Sequence, residues 1–464
     1  MTESDSSDDH KSLEGLHGTV EVPAPHTPFW KQWRAFIGPA LLVSVGYMDP
    51  GNWGTDLQGG AQFKYELLWV VALASVMAIF LQVCSARLGV ATGKDLAQAC
   101  RDWYPAWTRW PNWLLCELAI GACDLAEVLG SAVAIHLLFH IPLFWAVIIT
   151  SLDVLLLLAL QGFGMRMIEA VVGVLISTIG LCYFIEIFVI PSVKPSFMEM
   201  GRSLLTPGFG HAEMLVVAIG IIGATVMPHN LYLHSALVQS RKFQKDEASI
   251  RKAIRFNTID SATALVIAFF VNAAILVLAA MVFYGKKSIE VPGSGVVPLS
   301  DDTDWINIAY LTLAPLLGTF AASTLFAVAL LASGQRSTIT GTLAGQVVME
   351  GFMNWRIKPW LRRMITRILA VIPAVVIIGL RGEKSSVTEL LVLSQVVLAM
   401  QLPLAMFPLL HFTSSRKRMG QWRSGWFLLI AGWGSAVLIT ALDIYGLPDS
   451  IKQAWAVITG QPGN

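Results

Sequence analysis

Charge is what this sequence has least of. Charged residues make up 14% of its 464 residues, against about 25% in an ordinary soluble domain. With a mean hydropathy of +0.63, that shortage excludes a disordered or collagen-like chain. Neither sign dominates: 32 basic residues face 31 acidic ones, for a net charge of +1. A nucleic-acid binder working through a strongly basic surface is therefore excluded. Cysteine is also scarce, at five: Cys84, Cys100, Cys116, Cys123 and Cys182. None forms a CxxC pair and most lie in apolar runs, so they read as small buried hydrophobes, not a disulfide or zinc framework. No N-x-[ST] sequon occurs, which favours a bacterial origin. The first thirty residues are polar and acidic, with no apolar signal segment, and read as a disordered cytosolic tail.

Long apolar runs take the place of charge. A helix needs about 20 apolar residues to cross a bilayer. Eleven candidates are predicted, at roughly 36–59, 67–90, 112–138, 141–161, 167–190, 212–236, 258–284, 306–333, 366–380, 386–410 and 425–446. The expected organisation is a tail over 1–32, a membrane domain over 33–446 and a short extracellular C-terminal tail over 447–464. Lys and Arg cluster in Arg241–Arg255, Arg336–Arg367 and Arg416–Arg423. All three clusters fall on the side shared with the N-terminus, which places that terminus in the cytosol. Eleven crossings then put the C-terminus outside. The mixed polar and apolar stretch Ser337–Trp355 is predicted to lie as an interfacial or cytosolic helix. Trp103, Trp107, Trp110 and Trp113 read as an interfacial aromatic belt, in preference to a cation-binding cage.

Two of these runs are interrupted. The first contains GYMDPGNW, Gly46 to Trp53, and the sixth GATVMPHN, Gly223 to Asn230. In each a proline removes a backbone donor near mid-span. A proline kink with a satisfied polar neighbour would explain either break by itself. Two breaks five spans apart match an inverted repeat of five plus five helices, with substrate held between the unwound segments. Asp49 at membrane depth is costly unless it serves a function.

The side chains at the breaks indicate the substrate class. Asp49 offers a hard anionic oxygen, Asn52 a neutral one, and unwinding near Ala224 frees backbone carbonyls. Met227 offers a thioether sulfur, although methionine is also a common packing residue. Magnesium and calcium take oxygen ligands, whereas a sulfur donor favours softer transition metals. The mixed set suggests Mn(II), Fe(II) or similar ions. An amino-acid carboxylate would be repelled by Asp49.

The third span carries Glu117, Asp124 and Glu127 on one helical face. The residues alone leave two readings, a proton relay or a structural ion-pair seam. Arg362 and Arg363, in LRRMITR before the ninth span, read by themselves as positive-inside flanking residues. His229 follows the sixth-span proline and His234 lies five residues on. Either can be a hydrogen-bonded buried group, and His229 is favoured for proton–metal coupling. His10, His17 and His26 match no ligand spacing. Asn272, within the seventh run, reads as an interhelical hydrogen bond in preference to a support of the ion path, and Asp153 and Glu186, in the fourth and fifth, stay ambiguous between the two.

At DPGN and MPH the chain resembles the natural resistance-associated macrophage protein (Nramp) family of proton-coupled divalent-metal transporters. The resemblance runs from about Trp33 to Tyr445. It implies an all-α integral membrane protein with the LeuT-like fold. Its two inverted five-helix repeats would occupy about 36–190 and 212–410, with an extra helix at about 425–446. It implies a metal site of Asp49, Asn52, the Ala224 carbonyl and the Met227 sulfur. Gln395, in LSQVVLAMQLP of the tenth span, would reach the ion in outward-facing or occluded states, and Thr225 also matches. Some magnesium-carrying relatives lack the methionine, so its presence favours transition metals. The resemblance also places a proton pathway at Glu117, Asp124 and Glu127, with Arg362 and Arg363 as partners on the route to the cytosol.

The expectation is a multi-pass cell-membrane importer of divalent transition metals, coupled to protons, with ion and proton as substrates and no resident cofactor. No Walker motif G-x-x-x-x-G-K-[ST] occurs, so ATP-driven transport by this chain alone is not expected. The rival readings are an organic-solute transporter of the same architecture and a divalent-cation channel. A metal-sensing receptor would need a longer soluble domain than the terminal segments offer. The sequence leaves oligomeric state and the ranking of Mn(II), Fe(II), Co(II) and Cd(II) open.

Overall fold

The computed structural model describes residues 12–23 (without 14), 27–152, 165–187 (without 186), 194–299 (without 211, 245 and 292–294), four residues between 305 and 309, and 320–459 (without 382). Asp153 and Glu186, residues 153–161 of the fourth expected span and 310–319 of the eighth lie outside the described residues.

Helices build almost all of what is described. Those of six residues or more are, in chain order, α1 (Phe29–Phe36), α2 (Pro39–Ser44), α3 (Pro50–Phe63), α4 (Leu68–Thr92), α5 (Leu96–Trp103), α6 (Arg109–Phe139), α7 (Leu143–Thr150), α8 (Met165–Phe184) and α9 (Phe197–Leu205). There follow α10 (Ala212–Thr225), α11 (Pro228–Leu237), α12 (Glu247–Phe283), α13 (Phe320–Met353), α14 (Pro359–Arg381), α15 (Glu383–Ser414) and α16 (Trp426–Thr459). Strands are minor: β1 (Val20–Glu21) pairs in parallel with β2 (Arg241–Lys242), and β3 (Ser288–Val291) with β4 (Gly295–Pro298) in an antiparallel hairpin. Among the described residues, six helices are long and apolar enough to cross a membrane by themselves. The first span is absent from that set because it is split into α2 and α3 around a 3-10 turn at Val45–Met48.

The halves of the broken spans sit at the centre of the packing. Helix α3 packs along α12, and α6 lies between α13 and α15. Trp53, directly after DPGN, is fully buried, with ring centres 5.3 Å from both Tyr183 and Phe326. It wedges α3 between α8 and α13. Gly130 on α6 allows close approach to the break, since a Cβ there would lie 2.3 Å from Pro50 Cγ.

Two sequence expectations are corrected. The stretch Ser337–Trp355 is not a surface helix. Through Met353 it continues α13 without interruption, with Ala344, Val347 and Val348 completely buried. Its polar groups had suggested exposure, but they bond internally: Gln346 donates to Glu350 at 2.8 Å. The tail expected to be disordered over 1–32 is packed in the parts described. Ser12 and Leu13 are 1% and 3% exposed. The Ser12 hydroxyl donates to Asp95 at 2.6 Å and the Leu13 N–H to Glu350 at 2.7 Å. Burial pushes the Asp95 carboxyl up to about 6, against the pull of the Ser12 hydrogen bond. Few apolar residues hold this segment, which is why composition misreads it: Leu13 and Val20 enter the core, and Gly18 N–H bonds to the Gln239 carbonyl. His17 is spent on the Ser12 carbonyl at 2.6 Å.

The tryptophan belt separates into two groups. Trp107 and Trp110 are exposed, as a belt requires. Trp110 and Trp113 join Trp355 in edge-on contacts, while Trp103 packs on Phe412 under the Arg418 guanidinium.

Candidate metal site

At the first break the chain leaves α2 and its 3-10 turn at Met48, and Pro50 opens α3. Asp49 adopts an extended conformation (φ −73°, ψ 170°) and caps α3, its Oδ1 accepting the Asn52 N–H at 2.9 Å. An aspartate in this position satisfies an otherwise orphaned helix donor. The second break has the same form: Met227 is extended (φ −91°, ψ 126°) and Pro228 opens α11.

Unwinding strips carbonyls of their helical partners, and buried carbonyls must find others. At the first break the partners come from three other elements of the fold. Asn52 Nδ2 reaches Gly46 O at 3.5 Å, Asn272 Nδ2 donates to Tyr47 O at 2.7 Å, and Ser333 Oγ to Met48 O at 2.6 Å. Asn272 thus serves as an interhelical tie to the break. Asn272→Ala is expected to leave a buried carbonyl unpaired and cost about 1–3 kcal/mol. A lowered melting temperature of the solubilised protein is the check.

The two breaks meet. Asn52 Nδ2 donates to Asp49 Oδ1 at 2.7 Å and to Ala224 O at 3.0 Å, while Thr225 Oγ1 donates to Asn52 Oδ1 at 3.1 Å. The Met227 sulfur lies against Gly46, only 3.1 Å from where a Cβ would stand. Gln395 of α15 lies against Gly51, its Nε2 2.1 Å from that residue's notional Cβ. Asp49, Asn52, Ala224 and Met227 are each no more than 1% exposed, and Gln395 9%. All five residues expected at the metal site therefore converge on one buried locus. Among the described residues, Gln395 Oε1, His229 Nδ1 and both amide atoms of Asn230 have no hydrogen-bond partner. Asn230 also borders Gly46. Buried polar atoms left in this state call for a ligand or water.

The acidic stripe is an ion-pair seam in this conformation. Glu117, Asp124 and Glu127 face α14, whose Arg362 pairs with Glu117 at 2.5 Å. Arg363 pairs with Asp124 and reaches Glu127 at 3.5 Å. The two arginines are 4% and 1% exposed, so they are core residues and not merely flanking positive charges. Arg367, which sequence reading passed over, lies 3.8 Å from Asp124 and donates to the Thr150 carbonyl at 3.4 Å. Its spacing of i+4 from Arg363 is the signal that could have found it.

The histidines differ. His234 is bonded through Nδ1 to Gln82 Oε1 at 2.9 Å, and Gln82 to the Tyr47 hydroxyl at 2.7 Å. His229 is 2% exposed, and its Nδ1 has no hydrogen-bond partner among the described residues. Sequence reading also missed Asp56, which is 1% exposed with one carboxyl oxygen unpartnered. It missed as well the clamp at the root of α2. There Asp260 accepts the Ala40 N–H at 3.0 Å, and Arg241 holds Ile37 O and Glu169, both at 2.7 Å.

Comparison with known proteins bears on this geometry. The family model described as natural resistance-associated macrophage protein-like matches residues 40–449. The divalent metal cation transporter MntH of Nostoc sp. is 49% identical over 447 residues, covering 95% of this chain and 96% of the relative. The MntH of Mesorhizobium japonicum is 48% identical, covering 96% and 95%. Among solved structures, a mutant of the Eremococcus coleocola manganese transporter superposes with a TM-score of 0.86 at 39% identity, covering 97% of this chain and 93% of that one. Mhp1, a nucleobase-cation-symport-1 family transporter, matches at TM-score 0.56 and 14% identity over 92% and 94% of the two chains. That likeness shows the shared LeuT-like fold alone. On the extent of the family match and of these identities, the chain belongs to the natural resistance-associated macrophage protein family.

Proposed function

We propose that this protein is a secondary active transporter that imports divalent transition metal ions, Mn(II) and Fe(II) among them, together with protons. The names of its relatives support the metal. One observation carries the reading: a carboxylate, an amide, a freed carbonyl and a thioether from two interrupted helices meet at one buried point. The Asn52 NH2 group now bridges Asp49 Oδ1 and Ala224 O. A cation would do the same with far more energy. An arriving ion displaces the NH2 group, and rotation of the amide turns Asn52 Oδ1 from Thr225 toward the ion. Met227 then supplies the soft ligand that oxygen-preferring ions do not need.

Orientation follows the basic clusters, with the N-terminus and the start of α12 in the cytosol and the C-terminus outside. Alternating access is rocking of the half-helices around the site. In this conformation the cytosolic root of α2 is clamped by Asp260 and Arg241, so release inward requires that clamp to open. Protons leave along Glu117, Asp124 and Glu127, where a carboxylate that gains a proton loosens its hold on Arg362 or Arg363. His229 links the ion site to Asp124. No covalent chemistry is involved.

Proteoliposomes with a panel of divalent ions outside and a pH dye inside test this reading. Concentrative Mn(II) uptake with internal acidification is the expected result. Uptake without acidification or concentration would indicate a channel, and uptake of an organic solute instead would indicate the rival transporter. Asp124→Asn is expected to cut metal-driven acidification at least tenfold while Mn(II) binding, read by calorimetry, changes less. Unchanged acidification in that variant eliminates the relay.

A further inference from the structure

We propose that the groove between α1 and the start of α12 binds the headgroup of an anionic phospholipid from the cytosolic leaflet. The proposal rests on the orientation given above for the membrane domain. Helix α1 is amphipathic: it buries Gln32, Ala35 and Phe36 and leaves Phe29 and Trp30 47% and 69% exposed. An apolar face of this kind, on a short helix that leads into a membrane span, lies in the bilayer interface.

Opposite α1, the first turns of α12 carry Arg251, Lys252 and Arg255 before the helix runs on as a membrane span. Between the two helices is a cavity of about 800 Å³, walled by those three cations and floored by Phe29 and Phe256. The Phe29 and Phe256 rings are 5.4 Å apart, and Phe36 stacks on Phe256 at 5.2 Å. The one acid on the described lining, Glu247, is paired with Arg251 at 2.6 Å. The wall is therefore net basic.

A cationic wall above an aromatic floor fits an amphiphile. The phosphate meets the arginines, and the glycerol and first methylenes lie on the phenylalanines. A soluble phosphate would use the wall and leave Phe29, 47% exposed, uncovered. Basic side chains at this depth attract anionic lipid, each strengthening the attraction severalfold. The position gives such binding a consequence. Helix α1 passes through Ile37 and Gly38 directly into α2, the half-helix whose root is clamped by Asp260. A lipid bound at α1 thereby steadies the segment that must move for inward release.

Native mass spectrometry of the full-length protein, titrated with phosphatidylglycerol or phosphatidylcholine, tests the site without requiring transport. Failure here therefore leaves the transport reading standing. Wild type is expected to retain phosphatidylglycerol in preference to phosphatidylcholine. The triple variant R251Q/K252Q/R255Q should weaken phosphatidylglycerol retention by at least about tenfold, with phosphatidylcholine unaffected. Arg251 and Arg255 are exposed and Lys252 half-buried, and an unchanged elution profile and melting temperature will show that the fold survives. The variant K417Q/R423Q, at another basic cluster, should retain phosphatidylglycerol as wild type does. Equal retention by wild type and the triple variant overturns the proposal. So does an equal loss in K417Q/R423Q, which would mean nonspecific surface charge. Displacement of the lipid by free glycerol 1-phosphate at a matching concentration would overturn the lipid assignment.

Discussion

Asp49→Ala is expected to reduce Mn(II) uptake into proteoliposomes by about 100-fold or more. Loss of an outer-shell partner of a metal ligand costs 10–100-fold, and Asp49 is the only ionised member of the proposed ligand set. It also does two structural jobs, capping α3 and anchoring the Asn52 amide. Both would fail in the alanine variant, so Asp49→Asn is the better control. Asparagine keeps one acceptor oxygen for the Asn52 N–H, removes the charge and turns the second oxygen into a donor. Both variants should lose uptake, and the asparagine variant should melt within a few degrees of wild type. Intact uptake in either variant would remove Asp49 from the site.

Met227→Ala is expected to shift selectivity more than it shifts total transport. The sulfur contributes little to ions that prefer oxygen, whereas Mn(II), Fe(II) and Cd(II) accept a thioether. Competition of Ca(II) or Mg(II) against Mn(II) uptake should strengthen by roughly tenfold, equivalent to about 1.4 kcal/mol of discrimination. Met227 also packs against Ala119, Cys123 and Leu398, and alanine leaves a cavity there. Met227→Leu fills the space without the sulfur and separates the two effects. If the leucine variant keeps the wild-type preference, the sulfur is not the filter.

Much of the site was legible because its signals are local. Proline, glycine and ligand-type residues at DPGN and MPH mark breaks that no ordinary span would tolerate. The spacing of Glu117, Asp124 and Glu127 assigns them to one face from helical geometry alone. What was not legible depends on partners distant in sequence. Asn272 reads from the sequence as an interhelical tie, but nothing local names its partner, the Tyr47 carbonyl 2.7 Å away in the fold. Arg362 and Arg363 carry the composition of a cytosolic flank; only the family resemblance names them as partners of the acids, and the fold buries them against the three carboxylates. The stretch after Ser337 reads as an interfacial or cytosolic helix because its polar groups would ordinarily need water. They had each other and the tail instead.

The sequence by itself determined that this is a membrane protein, where two of its helices must break, and which ligand chemistry gathers at the breaks. Those properties follow from hydropathy, proline and residue type, each read within a few neighbouring positions. Only the tertiary structure decided that the breaks meet, which carbonyls they share, which cations neutralise the acidic stripe and that part of the tail is docked. A buried polar atom must be satisfied by whatever the fold brings to it. That partner can come from more than 200 positions away, as Asp260 does for Gly38, where no local pattern can announce it.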